Sequence, residues 1–166
     1  LGTTVCVACA SGRADVDRDP STACSSCIAG QYSASNATVC TDCAGGLADL
    51  DNDASTLCDV CVVGTYAAGG GTSCDACVAG QADLDMDAST LCDACVAGTY
   101  TAGSGTSCDA CVAGRADLDN DASTLCDACG SGEYSYVGNV TCTDCAAGFA
   151  DLDNDASTPC TVCGAG

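Results

Sequence analysis

Ten Cys-x-x-Cys pairs set at a fixed period constrain this chain more than any other feature. The first Cys of alternate pairs falls at Cys6, Cys40, Cys74, Cys108 and Cys142, at a strictly constant interval. The interleaved set, Cys24, Cys58, Cys92, Cys126 and Cys160, keeps the same step. Between pairs a longer gap, as from Cys9 to Cys24, alternates with a shorter one, as from Cys27 to Cys40. No insertion breaks the alternation, which gives five long loops and four short ones. Such self-similarity marks a repeat architecture in which each unit buries surface only against its neighbours. Residues 1–166 are therefore expected to form one continuous array of about five 34-residue repeats. Leu1–Val5 reads as the end of a short loop and Gly164–Gly166 as the start of another, so both ends are expected to fall inside a repeat.

Composition says how such an array must hold together. Leu, Ile, Val and Phe number 24 in 166 residues, about 14%, well below what an ordinary hydrophobic core requires. Cross-links or metal ions have to take its place, and 20 Cys supply the means. The chain has no His, no Lys and no Trp, and its bases are Arg13, Arg18 and Arg115. Neither a Ser/His/Asp nor a Cys/His centre can be assembled without a histidine, so the chain is expected not to be an enzyme. A net charge of −20 repels polyanions and argues against nucleic acid. No apolar run approaches the length of a membrane span.

The cleanest long loop is Cys111-VAGRADLDNDASTL-Cys126, and the cleanest short loop is Cys95-VAGTYTAGSGTS-Cys108. Both place Gly three residues after the Cys, nine times in all, at a position that suits a turn with positive φ or a close backbone approach. The short loops add Tyr32, Tyr66, Tyr100 and Tyr134, one aromatic per module and a natural miniature core. Turn-formers interrupt the chain too often for helices, whereas Thr65–Ala67 and Thr99–Thr101 suit two-stranded ribbons. The expected fold is a small disulfide-rich repeat array, an elongated rod with little regular secondary structure and short two-stranded β ribbons.

CxxC pairs separated as they are by the long loops also suit four-thiolate zinc sites. The even Cys total, the unbroken spacing and the lack of His favour disulfides. The pattern Cys61-VVGTYAAGGGTS-Cys74-DA-Cys77 resembles ephrin-receptor-like repeats and the first half-module of tumour-necrosis-factor-receptor cysteine-rich domains, and more loosely EGF-like repeats. The acidic long loop lies outside that pattern. The resemblance implies that the second Cys of each pair bonds forward to the first Cys of the next. Carried over, it gives Cys9–Cys24, Cys27–Cys40, Cys43–Cys58, Cys61–Cys74, Cys77–Cys92, Cys95–Cys108, Cys111–Cys126, Cys129–Cys142 and Cys145–Cys160, with Cys6 and Cys163 left to bridge to adjoining segments. Each such loop of roughly 15 residues contributes on the order of 3 kcal/mol in the chain-entropy account. A crossed scheme, Cys6–Cys24 with Cys9–Cys27, is the alternative.

Every long loop carries an Asp-x-Asp-x-Asp triplet: Asp15/Asp17/Asp19, Asp49/Asp51/Asp53, Asp83/Asp85/Asp87, Asp117/Asp119/Asp121 and Asp151/Asp153/Asp155. Spacing by two is how EF-hand and thrombospondin type 3 loops begin, which makes these residues candidate Ca²⁺ ligands. The glycine and bidentate Glu of an EF-hand are missing, and the alternative is that the carboxylates solubilise the surface and cap turns. On that reading the alternation turns Leu50, Leu84, Leu118 and Leu152 inward. No cofactor is required in either case.

Two sequons, Asn36-Ala-Thr38 and Asn139-Val-Thr141, are candidate N-glycosylation sites. Thr22, Thr56, Thr90, Thr124 and Thr158, each just before a Cys pair, are candidate carriers of O-glycans. Disulfides and covalent glycans together place the chain outside the cell or at its surface. Near-identical repeats suit a structural component of an extracellular fibre, surface hair or matrix that associates with itself or continues as a longer repeat chain. Such arrays resemble repeats in surface and flagellar-hair proteins of algae and other protists. The alternative is the stalk or binding region of a cell-surface receptor or adhesion ectodomain, in which one module should depart from the rest.

Overall fold

The computed structural model describes residues 8–164, and within them the backbone is irregular except for very short strands. Eighteen two-residue strands pair as nine two-stranded ribbons, and no helix occurs among the described residues. A long loop forms its ribbon from the residues after its Gly and those between the next Cys pair: Arg13–Ala14 pairs antiparallel with Ser25–Ser26, and Arg115–Ala116 with Asp127–Ala128. Short loops do the same, as in Gln31–Tyr32 with Thr41–Asp42 and Thr99–Tyr100 with Asp109–Ala110. The strands are brief because the chain must turn at each Gly. All nine glycines noted in the sequence have φ between 78° and 89°.

Nine disulfides close the loops in series. Cys9 is bonded to Cys24, Cys27 to Cys40, Cys43 to Cys58, Cys61 to Cys74, Cys77 to Cys92, Cys95 to Cys108, Cys111 to Cys126, Cys129 to Cys142 and Cys145 to Cys160. Cys163 is a free, exposed thiol, and Cys6 lies outside the described residues.

The chain forms two compact units. The first runs through Asp75 and includes Asp87–Leu91; the second comprises Ala76–Met86 and the chain from Cys92 onward. Each core is made of small residues. Cys9, Ala14, Cys43, Ala48, Cys61 and Ala67 are buried in the first unit, and Cys77, Ala82, Cys111, Ala116 and Cys126 in the second. The tyrosines are only half-buried, so they border this core rather than form it. The residue after each Tyr is the buried one: Ser33, Ala67, Thr101 and Ser135. Where it is Ser, its hydroxyl donates to a neighbouring backbone carbonyl, Ser33 to Arg13 at 3.0 Å and Ser135 to Arg115 at 2.8 Å. That partner offsets the cost of burying the hydroxyl.

Successive modules are stitched by backbone hydrogen bonds that recur with the sequence period. In the first unit Gly12 N donates to Ser33 O (3.0 Å) and Gly46 N to Ala67 O (2.9 Å), while Asn36 N donates back to Cys9 O (2.8 Å) and Gly70 N to Cys43 O (2.7 Å). In the second unit Gly80 and Gly114 donate to Thr101 and Ser135, and Ser104 and Gly138 donate to Cys77 and Cys111. One glycine in each unit illustrates why the approach excludes side chains. A Cβ on Gly30 would run into the Gly70 carbonyl, and one on Gly98 into that of Gly138.

Candidate functional site

The acidic long loops are the most chemically distinctive feature, and their three carboxylates do three different jobs. In three of the five long loops the first Asp is turned inward, Asp49, Asp83 and Asp117 being 4–5% exposed, whereas Asp15 and Asp151 are half-buried. Asp49 Oδ2 accepts from the buried Gly30 N–H at 3.0 Å, and Asp117 Oδ2 from Gly98 N–H at 2.9 Å. The backbone N–H of each donates forward, Asp49 to Gly71 O and Asp117 to Asn139 O, both at 3.0 Å. The first Asp therefore ties the short loop before it to the short loop after it.

The second and third carboxylates remain at the surface and fold the loop upon itself. Asp17 accepts from the Asp19 N–H at 3.1 Å and from the Thr22 hydroxyl at 2.9 Å. Asp51, Asp119 and Asp153 hold Thr56, Thr124 and Thr158 in the same way at 3.0–3.1 Å. The third Asp caps the turn at Ser: Asp19, Asp53, Asp87, Asp121 and Asp155 each accept from the N–H two residues on. These bonds favour the ionised form. The Ser hydroxyl first and its N–H second hold Asp19, Asp53, Asp87 and Asp121 below the usual carboxylate value. The Asp19 N–H and then the Thr22 hydroxyl do this for Asp17, and the Asp155 N–H and the Thr158 hydroxyl for Asp153.

No Asp triplet among the described residues gathers three ligand atoms within 4.8 Å of one another. The candidate Ca²⁺ ligands of the third long loop show why: Asp83 is buried, whereas Asp85 and Asp87 are exposed. Their carboxylates thus divide between the inside of the module and its surface instead of converging on one point. The one group that does gather, Cys129, Glu133 and Cys142, contains a disulfide, and its Glu133 Oε2 accepts from Gly130 N–H at 2.9 Å. The inward turn of the first carboxylate also reverses one sequence expectation. Leu50, Leu84, Leu118 and Leu152 are 47–66% exposed rather than packed inward. The ribbon ends at Ala48, Ala82, Ala116 and Ala150, so strand alternation does not extend to these leucines. After Ala48 and Ala116 the inward place belongs to an Asp that meets a Gly N–H.

The two sequons occupy neighbouring corners of their short loops. Asn36 is exposed with φ 64°, at the repeat position held elsewhere by Gly70, Ser104 and Gly138. Asn139, one residue further along its own loop, is half-buried, and its carbonyl accepts from Asp117 N–H. Thr38 and Thr141 are both exposed. The five pre-Cys threonines are exposed as well; the hydroxyls of Thr22, Thr56, Thr124 and Thr158 bond to the second Asp of their triplets. In the second unit the hollow beside Tyr100, Val112, Arg115 and Leu125 holds about 220 Å³, less than small-molecule sites usually offer.

No protein-family profile matches the chain, and no curated protein matches it. Its own geometry shows a cysteine-rich repeat array of paired short strands closed by serial disulfides.

Proposed function

We propose that the chain is a structural component of an extracellular fibre, surface hair or matrix, glycosylated at Asn36 and Asn139 and built from modules of the ephrin-receptor-like kind. The observation that carries this reading is the recurrence of one set of inter-module bonds from copy to copy among the described residues. Nine disulfides, which persist in oxidising surroundings, support the extracellular part of this reading.

The serial pairing suits tension. A pulling force would follow the covalent path through each bridge and across the two residues between paired cysteines, leaving the loops slack. The bridges span 5.5–5.8 Å between Cα atoms. A long-loop module would then extend by about 16 Å, against about 60 Å for the same residues without the bridge. Each module thus has a hard stop built into its covalent structure.

Electron microscopy of the native material tests the proposal. Filaments or a matrix whose repeat matches this chain are the expected result. Discrete monomeric ectodomains carried on a cell surface would overturn it in favour of the receptor reading.

A further inference from the structure

One long loop of the second unit brings together what its copies keep apart. Tyr100, Val112, Arg115, Leu125 and Cys126 line a hollow of about 220 Å³, and none of them is acidic. Arg115 is the only basic residue of that unit in a chain of net charge −20. Even so, no ion pair to it occurs among the described residues. Its Nη1–H donates to the Cys126 carbonyl at 2.8 Å, which fixes the guanidinium at the wall of the hollow and leaves the rest of its fork of donors to a ligand. Val112 and Leu125, 59% and 72% exposed, give the hollow aliphatic sides, and the half-buried Tyr100 gives it an aromatic one.

The other long loops each lack part of this combination. Gln81 stands at the Arg115 position in the third, where Val78 and Leu91 repeat the aliphatic pair without the cation. Arg13 repeats the cation in the first, but Ala10 and Ala23 stand where Val112 and Leu125 do. Its bond to the matching carbonyl, that of Cys24, is also longer, at 3.4 Å. In the second and fifth loops the position holds Leu47 and Phe149. Only the fourth sets a cation between two large aliphatic residues.

We propose that this hollow binds a small monocarboxylate with a compact apolar body, a phenyl or branched-alkyl acid. The carboxylate sits on the Arg115 fork, and the body lies between Tyr100, Val112 and Leu125. The volume admits one ring or one branched chain rather than a drug-sized ligand. A guanidinium takes a carboxylate through two parallel N–H···O bonds, which fixes the ligand's orientation. An ion pair this open to water is worth little by itself, and so small an apolar surface is worth little without it. The site therefore selects ligands that carry both parts. The field of the whole chain disfavours a second negative charge on the ligand. The same chemistry occurs in a free acid and in the last residue of a peptide that ends in Leu or Phe. The site goes beyond the fibre reading and does not depend on it.

The test titrates the full oxidised chain with phenylacetate, N-acetyl-leucine, phenylacetamide and acetate and follows backbone amide shifts by NMR. Saturable shifts confined to the amides near Tyr100, Val112, Arg115 and Leu125 are expected with the two apolar acids. Phenylacetate should bind about tenfold more tightly than its neutral amide, the weight of a hydrogen bond to a charged group, and that preference should shrink as salt is added. Acetate, which has no body, should bind more weakly than phenylacetate. Tighter binding of N-acetyl-leucine than of phenylacetate supports the site with a peptide end as the source, and the reverse order supports it with a free acid. Arg115→Gln installs the residue that the third loop already carries at this position, and it should erase the preference for acid over amide while leaving amide binding in place. Arg13→Gln, in the first unit, should change nothing. Equal binding of acid and amide by the wild type, shifts scattered away from the hollow, or no saturable shift with any of the acids would overturn the proposal. The wild-type comparison decides this whether or not the variant folds.

Discussion

Replacing Asp117 by Ala removes the acceptor of the Gly98 N–H, a bond of 2.9 Å to a side chain that is 4% exposed. Gly98 is itself buried, so its N–H would be left with no partner and little water. An orphaned buried donor costs about 1–3 kcal/mol, more than the net worth of an ordinary hydrogen bond. The flanking bridges Cys95–Cys108 and Cys111–Cys126 stay intact, so the loss should appear as local opening rather than global unfolding. At about 2 kcal/mol the opening constant of Gly98 rises roughly 30-fold, and its amide exchanges faster by that factor. Asp117→Asn keeps an acceptor oxygen and should recover most of the protection. Asp119→Ala removes an exposed carboxylate whose bonds stay within its own loop, so it should speed exchange only near residues 119–124. If Gly98 exchanges equally in the wild type and in Asp117→Ala, or if Asp119→Ala affects it as strongly, the division of labour within the triplet is wrong.

Three further outcomes follow. The caps at Ser21, Ser55, Ser89 and Ser123 rest on carboxylates whose folded pKa is lowered, so their contribution is present above the unfolded value of 3.8 and is lost as pH falls through the folded one; NMR titration should place those midpoints below 3.8. Met86 has φ 56° where three other copies have Asn, so Met86→Asn should stabilise the loop by about 0.5–1 kcal/mol in a denaturant titration. Intact mass of material from its native source should exceed the 16.0 kDa polypeptide, with Asn36 and Asn139 as the modified positions.

The architecture was legible because spacing alone carries it. Closely and regularly set Cys pairs, each with a Gly three residues later, leave room only for short loops and short ribbons, and Arg13–Ala14 and Thr99–Tyr100 form them. What escaped the sequence was the inward face. Asp-Leu-Asp reads as alternation with leucine inside, yet the ribbon stops at Ala48 and the buried group is the Asp49 carboxylate. Its partner, the Gly30 N–H, lies 19 residues away, and no local pattern announces a pairing at that distance. The recurrence of Asp after the buried Ala, at Asp49, Asp83 and Asp117, was the signal available. The tyrosines misled for a related reason. In a core of Ala and Cys there is room for the small residue after Tyr, as at Ala67 and Ser135, and not for the ring.

Force spectroscopy on single chains held near Cys9 and Cys160 tests most directly the claim that serial disulfides stand in for the missing core. With the bridges intact, the path through nine bridges and eight two-residue gaps should stop at about 130 Å. Reductant should release the chain to about 520 Å, the reach of roughly 150 extended residues, while a chelator should release nothing. Full extension without reductant, or a gain in length on chelation alone, would contradict the account.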